Sequence, residues 1–215
     1  MEEREIQDKS LNETESLEII TRMIQNTQRK LERGVGAPML IWGYATIFSA
    51  MSVWITLRIT LNSLSQYLWF LIPIIGITCM LLRKKQPKGV RTYVDKVIGY
   101  IWIVLGVVGF LLSIGSFLGV MWGFNILFII IIIMGMGTIL TGLVAEYKPM
   151  IAGGIIGLII SVPHQLLYGH DLVISNFKIS SYDMIFLTFI LAFVSMYIIP
   201  GHILNHRAKK ACLKN

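Results

Sequence analysis

Six apolar runs, each close to the roughly 20 residues that an α-helix needs to cross a bilayer, divide this chain, and nearly all of its positive charge falls in alternate gaps between them. The runs are Pro38–Ile59, Leu64–Leu82, Val97–Val120, Trp122–Val144, Pro149–Tyr168 and Asp183–Leu204. Barrel strands would alternate apolar and polar positions over about ten residues. The stretch Ile126-Leu127-Phe128-Ile129-Ile130-Ile131-Ile132-Ile133 does not alternate. Charged residues are 14% of the chain and hydrophobic residues 55%, against about 25% charged in soluble domains. The pattern predicts an all-α polytopic membrane protein, with six transmembrane helices in a bundle and an N-terminal cytoplasmic amphipathic helix. The expected division is an arm over 1–36, a six-helix domain over 37–205 and a basic tail over 206–215.

The charges orient the bundle. Of 19 Lys and Arg residues, only Arg58 and Lys178 fall outside the arm, the second and fourth connections, and the tail. An even number of spans puts these segments on one side, which the positive-inside rule makes cytoplasmic. The expected location is a bacterial inner membrane, multi-pass, with both termini cytoplasmic. Glu2, Glu3 and Glu5 replace the basic start of a secretory signal, so the first run reads as an uncleaved anchor. Cys79 and Cys212 map to the basic, reducing side and are expected as free thiols. The net charge of +7 fits anionic lipid headgroups. No basic stretch is interleaved with base-stacking aromatics, so nucleic acid is not an expected partner. Tyr67, Trp69, Trp122, Tyr168 and Tyr182 fall near the outer span ends, and Trp42, Tyr93, Tyr100 and Tyr147 near the inner ends. Interfacial anchoring is the expectation for all nine.

Residues 12–33 read as a separate helix. Asn12 and Glu15 have capping-box spacing. Leu17, Ile20, Ile24, Thr27 and Leu31 share one face, and Arg22, Arg29 and Arg33 lie opposite, toward lipid headgroups or solvent. Gly34 is expected to end this helix, Gly36 to form a hinge and Pro38 to open the first span. Such a helix suits the inner leaflet, the bundle, or a cytoplasmic protein partner.

Lipid tails give spans no hydrophobic reason to associate, so small residues must permit close packing. Gly115-x-x-x-Gly119 and Gly153-x-x-x-Gly157 are the expected helix-packing notches, with Ala45-x-x-x-Ser49 and Gly135, Gly137 and Gly142 in support. Pro38-Met39-Leu40 and Pro149-Met150-Ile151 start two odd-numbered spans alike, which raises the possibility of three repeated hairpins.

Ionisable residues within the bilayer mark ion paths, and here Arg58, Glu146 and Asp183 all sit at span ends. His164 is the one titratable group expected at depth. Pro163 frees a carbonyl beside it, and His164, Gln165 and Asn125 make a candidate polar pocket in the outer half. The alternative is an interfacial histidine bonded to backbone or water. His202 and His206, four apart with Cys212 beyond, have one-face metal spacing but lack the His-Glu-x-x-His pattern. His170, Asp171 and Asp183 form a looser outer group. No phosphate loop, dinucleotide fingerprint or nucleophile elbow is present, and no cofactor is expected.

Leu40-Ile41-Trp42-Gly43-Tyr44, Lys148-Pro149-Met150-Ile151-Ala152-Gly153-Gly154-Ile155 and Tyr197-Ile198-Ile199-Pro200-Gly201-His202-Ile203-Leu204 together resemble a family of uncharacterised six-span integral membrane proteins of Bacteroides-like bacteria. The resemblance implies an all-helical bundle and brings no activity or functional residues. The expectation is a non-catalytic sensor or accessory subunit acting through partners. Its alternatives are a small-solute or ion transporter and, third, an intramembrane enzyme.

Overall fold

The computed structural model describes residues 13–83, 93–119, 125–166, 172–174 and 177–213. Apart from turns, the described residues are helical except for one short hairpin. Helix α1 spans Glu13–Thr60, a 3₁₀ segment Ser63–Phe70 leads into α2 (Leu71–Leu82), and α3 (Tyr93–Phe117), α4 (Ile126–Val144) and α5 (Lys148–Leu166) follow. Strands β1 (Leu172–Ile174) and β2 (Phe177–Ile179) pair antiparallel, with Val173 opposite Lys178. Then come α6 (Ser181–Phe193), a π-helical turn (Val194–Ile198) and α7 (Ile199–Leu213). Six stretches are long and apolar enough to cross a membrane: Gly36–Thr60, Leu64–Leu82, Tyr93–Phe117, Ile126–Val144, Lys148–Leu166 and Ser181–His206. This is the expected six-span helical bundle.

Proline and glycine positions explain most local departures, and one corrects an expectation. Helix α1 runs unbroken through Gly34, Gly36 and Pro38. Intrinsic preference favours a break there, but packing overrides it. A Cβ on Gly36 would lie 3.4 Å from both Asn205 N and Leu204 Cβ, and one on Gly201 would lie 2.9 Å from Leu40 Cδ2. Helices α1 and α7 therefore cross closely where a hinge was expected. In the second span Pro73 is the third residue of α2, just past the point where the 3₁₀ segment gives way to α-helix. In the last span Pro200 offers no N–H to the carbonyl one turn back. Just ahead of it, Ile199 N–H reaches five residues back to Val194, which widens the helix into the π turn.

The α4–α5 connection is a three-residue turn. Tyr147 N–H bonds the Gly142 carbonyl at 2.8 Å and Glu146 N–H bonds Leu143 at 3.2 Å, with Glu146 left-handed at φ 52°. This is the Schellman arrangement with glutamate where glycine is usual.

The spans pack unequally. The first, fourth, fifth and sixth form the core, whose tightest pairings are α4 with α5 and α1 with α7. Consecutive hairpins are thus not the closest pairs, which argues against three repeated hairpin units. Met150, Phe189, Phe193, Met196 and Tyr197 are buried together with Ile131. Glycine makes the approach possible. A Cβ on Gly154 would sit 2.6 Å from Ile139 Cγ1 and 3.0 Å from the Gly135 carbonyl, and one on Gly135 would sit 2.7 Å from Leu158 Cδ2. Gly153 lies against the Ser195 carbonyl and Gly157 against the Met196 side chain, so the expected notch on α5 receives the π turn.

The other expected notch fails. Gly119 lies beyond the end of α3 at φ 74° with open space around it. Its N–H bonds Ser116 at 3.1 Å, and it ends the helix as glycine commonly does. Gly115 is partly exposed.

Phe186, Phe189, Phe193 and Tyr197 form an aromatic column down the last span. Successive centroids along Phe189, Phe193 and Tyr197 are 4.7 and 5.5 Å apart. Trp54 and Trp69 each stack on Phe186 at 6.4 Å, and Trp102 reaches Tyr197 at 6.2 Å. Trp69 is therefore a packing residue, as is Trp42, whose ring covers Gly76. Tyr147 is buried, at 6% exposure. Trp42 and Trp69 depart from the expected interfacial role because each meets a partner that lipid would not supply, and Tyr147 because it packs within the core cluster. Tyr67, Tyr93, Tyr100 and Tyr182 are exposed, as anchoring requires. Trp122 and Tyr168 lie outside the described residues, as do the side chains of Arg22, Arg29 and Arg33.

Candidate functional site

At the end of the bundle away from the start of α1 and the end of α7, the outer end in the expected orientation, several polar side chains meet. His164 is fully buried in the last turn of α5. The chain puts it there because the seam that packs α5 on its neighbours, through Gly154, Gly157 and Ser161, continues at helical spacing to position 164. Its Nδ1 lies 2.8 Å from Thr188 Oγ1 of α6. The Thr188 hydroxyl itself donates to the Met184 and Ile185 carbonyls, at 2.8 and 3.0 Å. Its one proton is committed to backbone, so Nδ1 must carry a proton and donate to Oγ1. His164 is thereby held as the Nδ1–H tautomer, with an acceptor lone pair on Nε2. That Nε2 is buried and has no hydrogen-bond partner among the described residues.

Asn125 precedes α4 with extended backbone, and its Oδ1 accepts from Phe128 N–H at 3.3 Å. This caps the helix and fixes the amide orientation, leaving Nδ2 as a buried donor without a partner among the described residues. Residue 125 is 7% exposed. The third expected pocket member, Gln165, is exposed. At about 100° per residue, the helix that turns His164 inward turns its neighbour out. The expected trio is thus a buried His164 and Asn125 without Gln165. Thr188, which the sequence reading missed, is the direct partner of His164. Its only signal was a β-branched hydroxyl on an otherwise apolar stretch of α6.

A second polar group stands beside this one. Asp183, in the first turn of α6, accepts from Trp54 Nε1 and from Arg58 Nε, both at 2.8 Å, and also pairs with Arg58 Nη2. The sequence places Arg58 and Asp183 at span ends of the same side but gives no reason to join them. The join comes from α1 packing against α6. The Arg58 side chain is 55% exposed and that of Asp183 19%, so the pair is worth about 0–1 kcal/mol. It ties the outer end of α1 to the start of the last span. His170 and Asp171 lie outside the described residues.

At the inner end His202 Nε2 and Tyr44 OH are 2.8 Å apart, across α7 and α1. His206 is exposed, and the Cys212 side chain lies outside the described residues. Among the described residues no three His, Cys, Asp or Glu side chains come together as a metal site. An apolar groove of about 340 Å³ opens between α1 and α2, lined by Leu40, Tyr44, Phe48, Ile75 and Cys79.

The interior offers little to a polar solute. Buried hydroxyls turn back onto their own helices: Ser49 to Ala45, Thr138 to Met134, Thr141 to Gly137 and Ser195 to Ala192, at 2.7 to 2.8 Å. A hydroxyl spent this way has no proton left to offer the space between helices. No protein-family model, curated protein or solved structure matches the chain.

Proposed function

We propose that this chain is a non-catalytic integral membrane protein that works through a protein partner, as a sensor or accessory subunit, on the basic side of the membrane. The observation that carries the reading is the continuity of α1, 48 residues from Glu13 to Thr60. Only Gly36–Thr60 belongs to the apolar span. The remaining stretch, residues 13–35, extends the same helix by about 35 Å at a rise of about 1.5 Å per residue. A helix without a joint transmits displacement along its length. Its outer end is held to α6 through Trp54, Arg58 and Asp183, and at Gly36 it crosses α7. A change at the outer surface that moved α6 against α1 would be felt by the projecting part. Leu17, on that part, is 62% exposed.

A transporter needs a polar route to mid-membrane. The self-bonded hydroxyls and glycine-to-side-chain packing support a closed core instead. Among the described residues catalysis has no support from any cluster of nucleophile, base and oxyanion donor.

The test is a photo-crosslinking residue in place of Leu17, used in cells. A discrete protein adduct is expected. A Gly-Pro-Gly insertion after Val35 should abolish it while membrane insertion and melting temperature stay unchanged. Adducts to lipid alone, or an adduct indifferent to the insertion, would overturn the proposal.

A further inference from the structure

Two of the buried atoms without hydrogen-bond partners among the described residues, His164 Nε2 and Asn125 Nδ2, are chemically complementary. His164 Nε2 is an acceptor, because the committed hydroxyl of Thr188 forces the ring proton onto Nδ1. Asn125 Nδ2 is a donor, because Oδ1 is the atom that caps α4. Both side chains are more than nine-tenths buried.

They are also close in register. Gly142 faces Ile151, Ile139 faces Gly154 and Gly135 faces Leu158. Carried outward, this antiparallel pairing puts Ile129 level with His164. Asn125 is one helical turn beyond, about 6 Å along the axis. Two hydrogen bonds of about 2.8–3.0 Å meeting near the tetrahedral angle at one oxygen join atoms about 4.7 Å apart, so the imidazole and the amide have only about 1 Å of this axial offset to close between them.

We infer that the α4–α5–α6 junction holds a single hydroxyl oxygen, which donates to His164 Nε2 and accepts from Asn125 Nδ2. The guest is a water molecule or the hydroxyl of an alcohol. The donor requirement at Nε2 rejects a carboxylate or phosphate anion. The acceptor requirement at Nδ2 rejects an ammonium ion. The inference stands apart from the partner reading, since an isolated polar guest near the outer end opens no path through the core.

Three features favour a built site over a chance defect. Thr188 fixes the histidine tautomer, the α4 cap fixes the amide, and the glycine-mediated approach of α4 to α5 sets the level of one against the other. In a low-dielectric interior two unanswered polar groups are costly, and a guest that answers both at once removes both penalties. A bound water of this kind usually makes two to four hydrogen bonds.

The experiment uses the full chain in detergent, with histidine labelled with ¹⁵N. At neutral pH, His164 should show a protonated Nδ1 and an unprotonated Nε2 displaced in the direction of an accepted hydrogen bond. Asn125→Asp keeps the helix cap and removes the donor, so it should shift the Nε2 resonance with the fold retained. A proton resident on Nε2, or an Nε2 resonance identical in wild type and Asn125→Asp, would overturn the inference. A high-resolution map of the wild-type protein decides independently of any variant. Isolated density between the two side chains identifies water, density continuing into carbon identifies an alcohol, and an empty junction sinks the proposal.

Discussion

The third and fifth spans invert the usual relation between hydrophobicity and burial. The most apolar stretch of span Tyr93–Phe117 has a mean hydropathy of 2.5, yet Gly109 is the one buried residue of that helix, while that of Lys148–Leu166 has 1.4 and is 33% buried. In water the greasier helix would be inside. In lipid both environments are apolar, and what selects the interior helix is the ability to approach closely. Helix α5 has Gly153, Gly154 and Gly157 on its buried face, with Ser161 and His164 beyond. On α3 the aliphatic and aromatic side chains Ile103, Val104, Val107, Phe110 and Leu111 are exposed. A glycine is worth something only where a neighbour uses the space: Gly157 is covered by Met196, and around Gly99 and Gly106 a Cβ would meet nothing.

The largest expected effect tests that contrast. Gly153→Leu and Gly157→Leu drive side chains into the Ser195 carbonyl and the Met196 side chain, and backbone cannot yield as a flexible chain can. Overpacking of this kind costs about 1–3 kcal/mol or more per site, so the double variant should lose most of its folded yield and melting temperature. Gly106→Leu should leave both within error. Equal damage from Gly106→Leu would mean that α3 packs against something in the membrane, and the division into core and peripheral spans would fail.

A smaller effect sharpens the boundary at the outer end. Thr188→Val removes the acceptor of His164 Nδ1–H and leaves a buried donor unanswered, which costs about 1–3 kcal/mol. The melting temperature should fall. Thr188→Ser, which keeps the hydroxyl, should recover most of the loss. An equal fall for both would assign the effect to the lost methyl group.

Below that comes the outer tie between α1 and α6. Asp183→Asn keeps one acceptor for Trp54 and removes the charge facing Arg58. With Arg58 more than half exposed, the expected loss is at most about 1 kcal/mol and should shrink as salt is raised. A large loss that salt leaves unchanged would mean that the pair is shielded from solvent and belongs to the core.

The smallest effect has the opposite sign. Glu146→Gly relieves a left-handed residue in the α4–α5 turn and should stabilise the fold by about 0.5–1 kcal/mol, read as a modest rise in melting temperature. A fall would mean that the glutamate side chain contributes more than its backbone strain costs.

Much of the architecture was legible because bilayer thickness and the positive charges constrain it. The six spans emerge near their expected bounds, and Gly153 and Gly157 do face another helix. What was not legible depended on partners far away in sequence. Gly34, Gly36 and Pro38 have the local chemistry of a break, yet Gly201 and Leu204 press against the same stretch and α1 continues. Gly119 shares its four-residue spacing with Gly115, but spacing cannot say that the helix has already ended. His164 and Asn125 were legible as rare polar residues in an apolar context. Thr188 was not, since threonines in spans usually bond their own helix, and only the fold shows that this one does so while also accepting from His164.

The central claim is that the first, fourth, fifth and sixth spans close around a core with no water-filled route to mid-membrane. Aqueous thiol labelling tests it most directly. In a background with Cys79 and Cys212 replaced by alanine, cysteines at Ser49, Thr138 and Ser195, all buried, should resist a membrane-impermeant maleimide from both sides of sealed vesicles. A cysteine at exposed Tyr182 should react from one side. Labelling of Thr138→Cys or Ser195→Cys at a rate near that of Tyr182→Cys would reveal a water-filled route to mid-membrane and contradict the closed core.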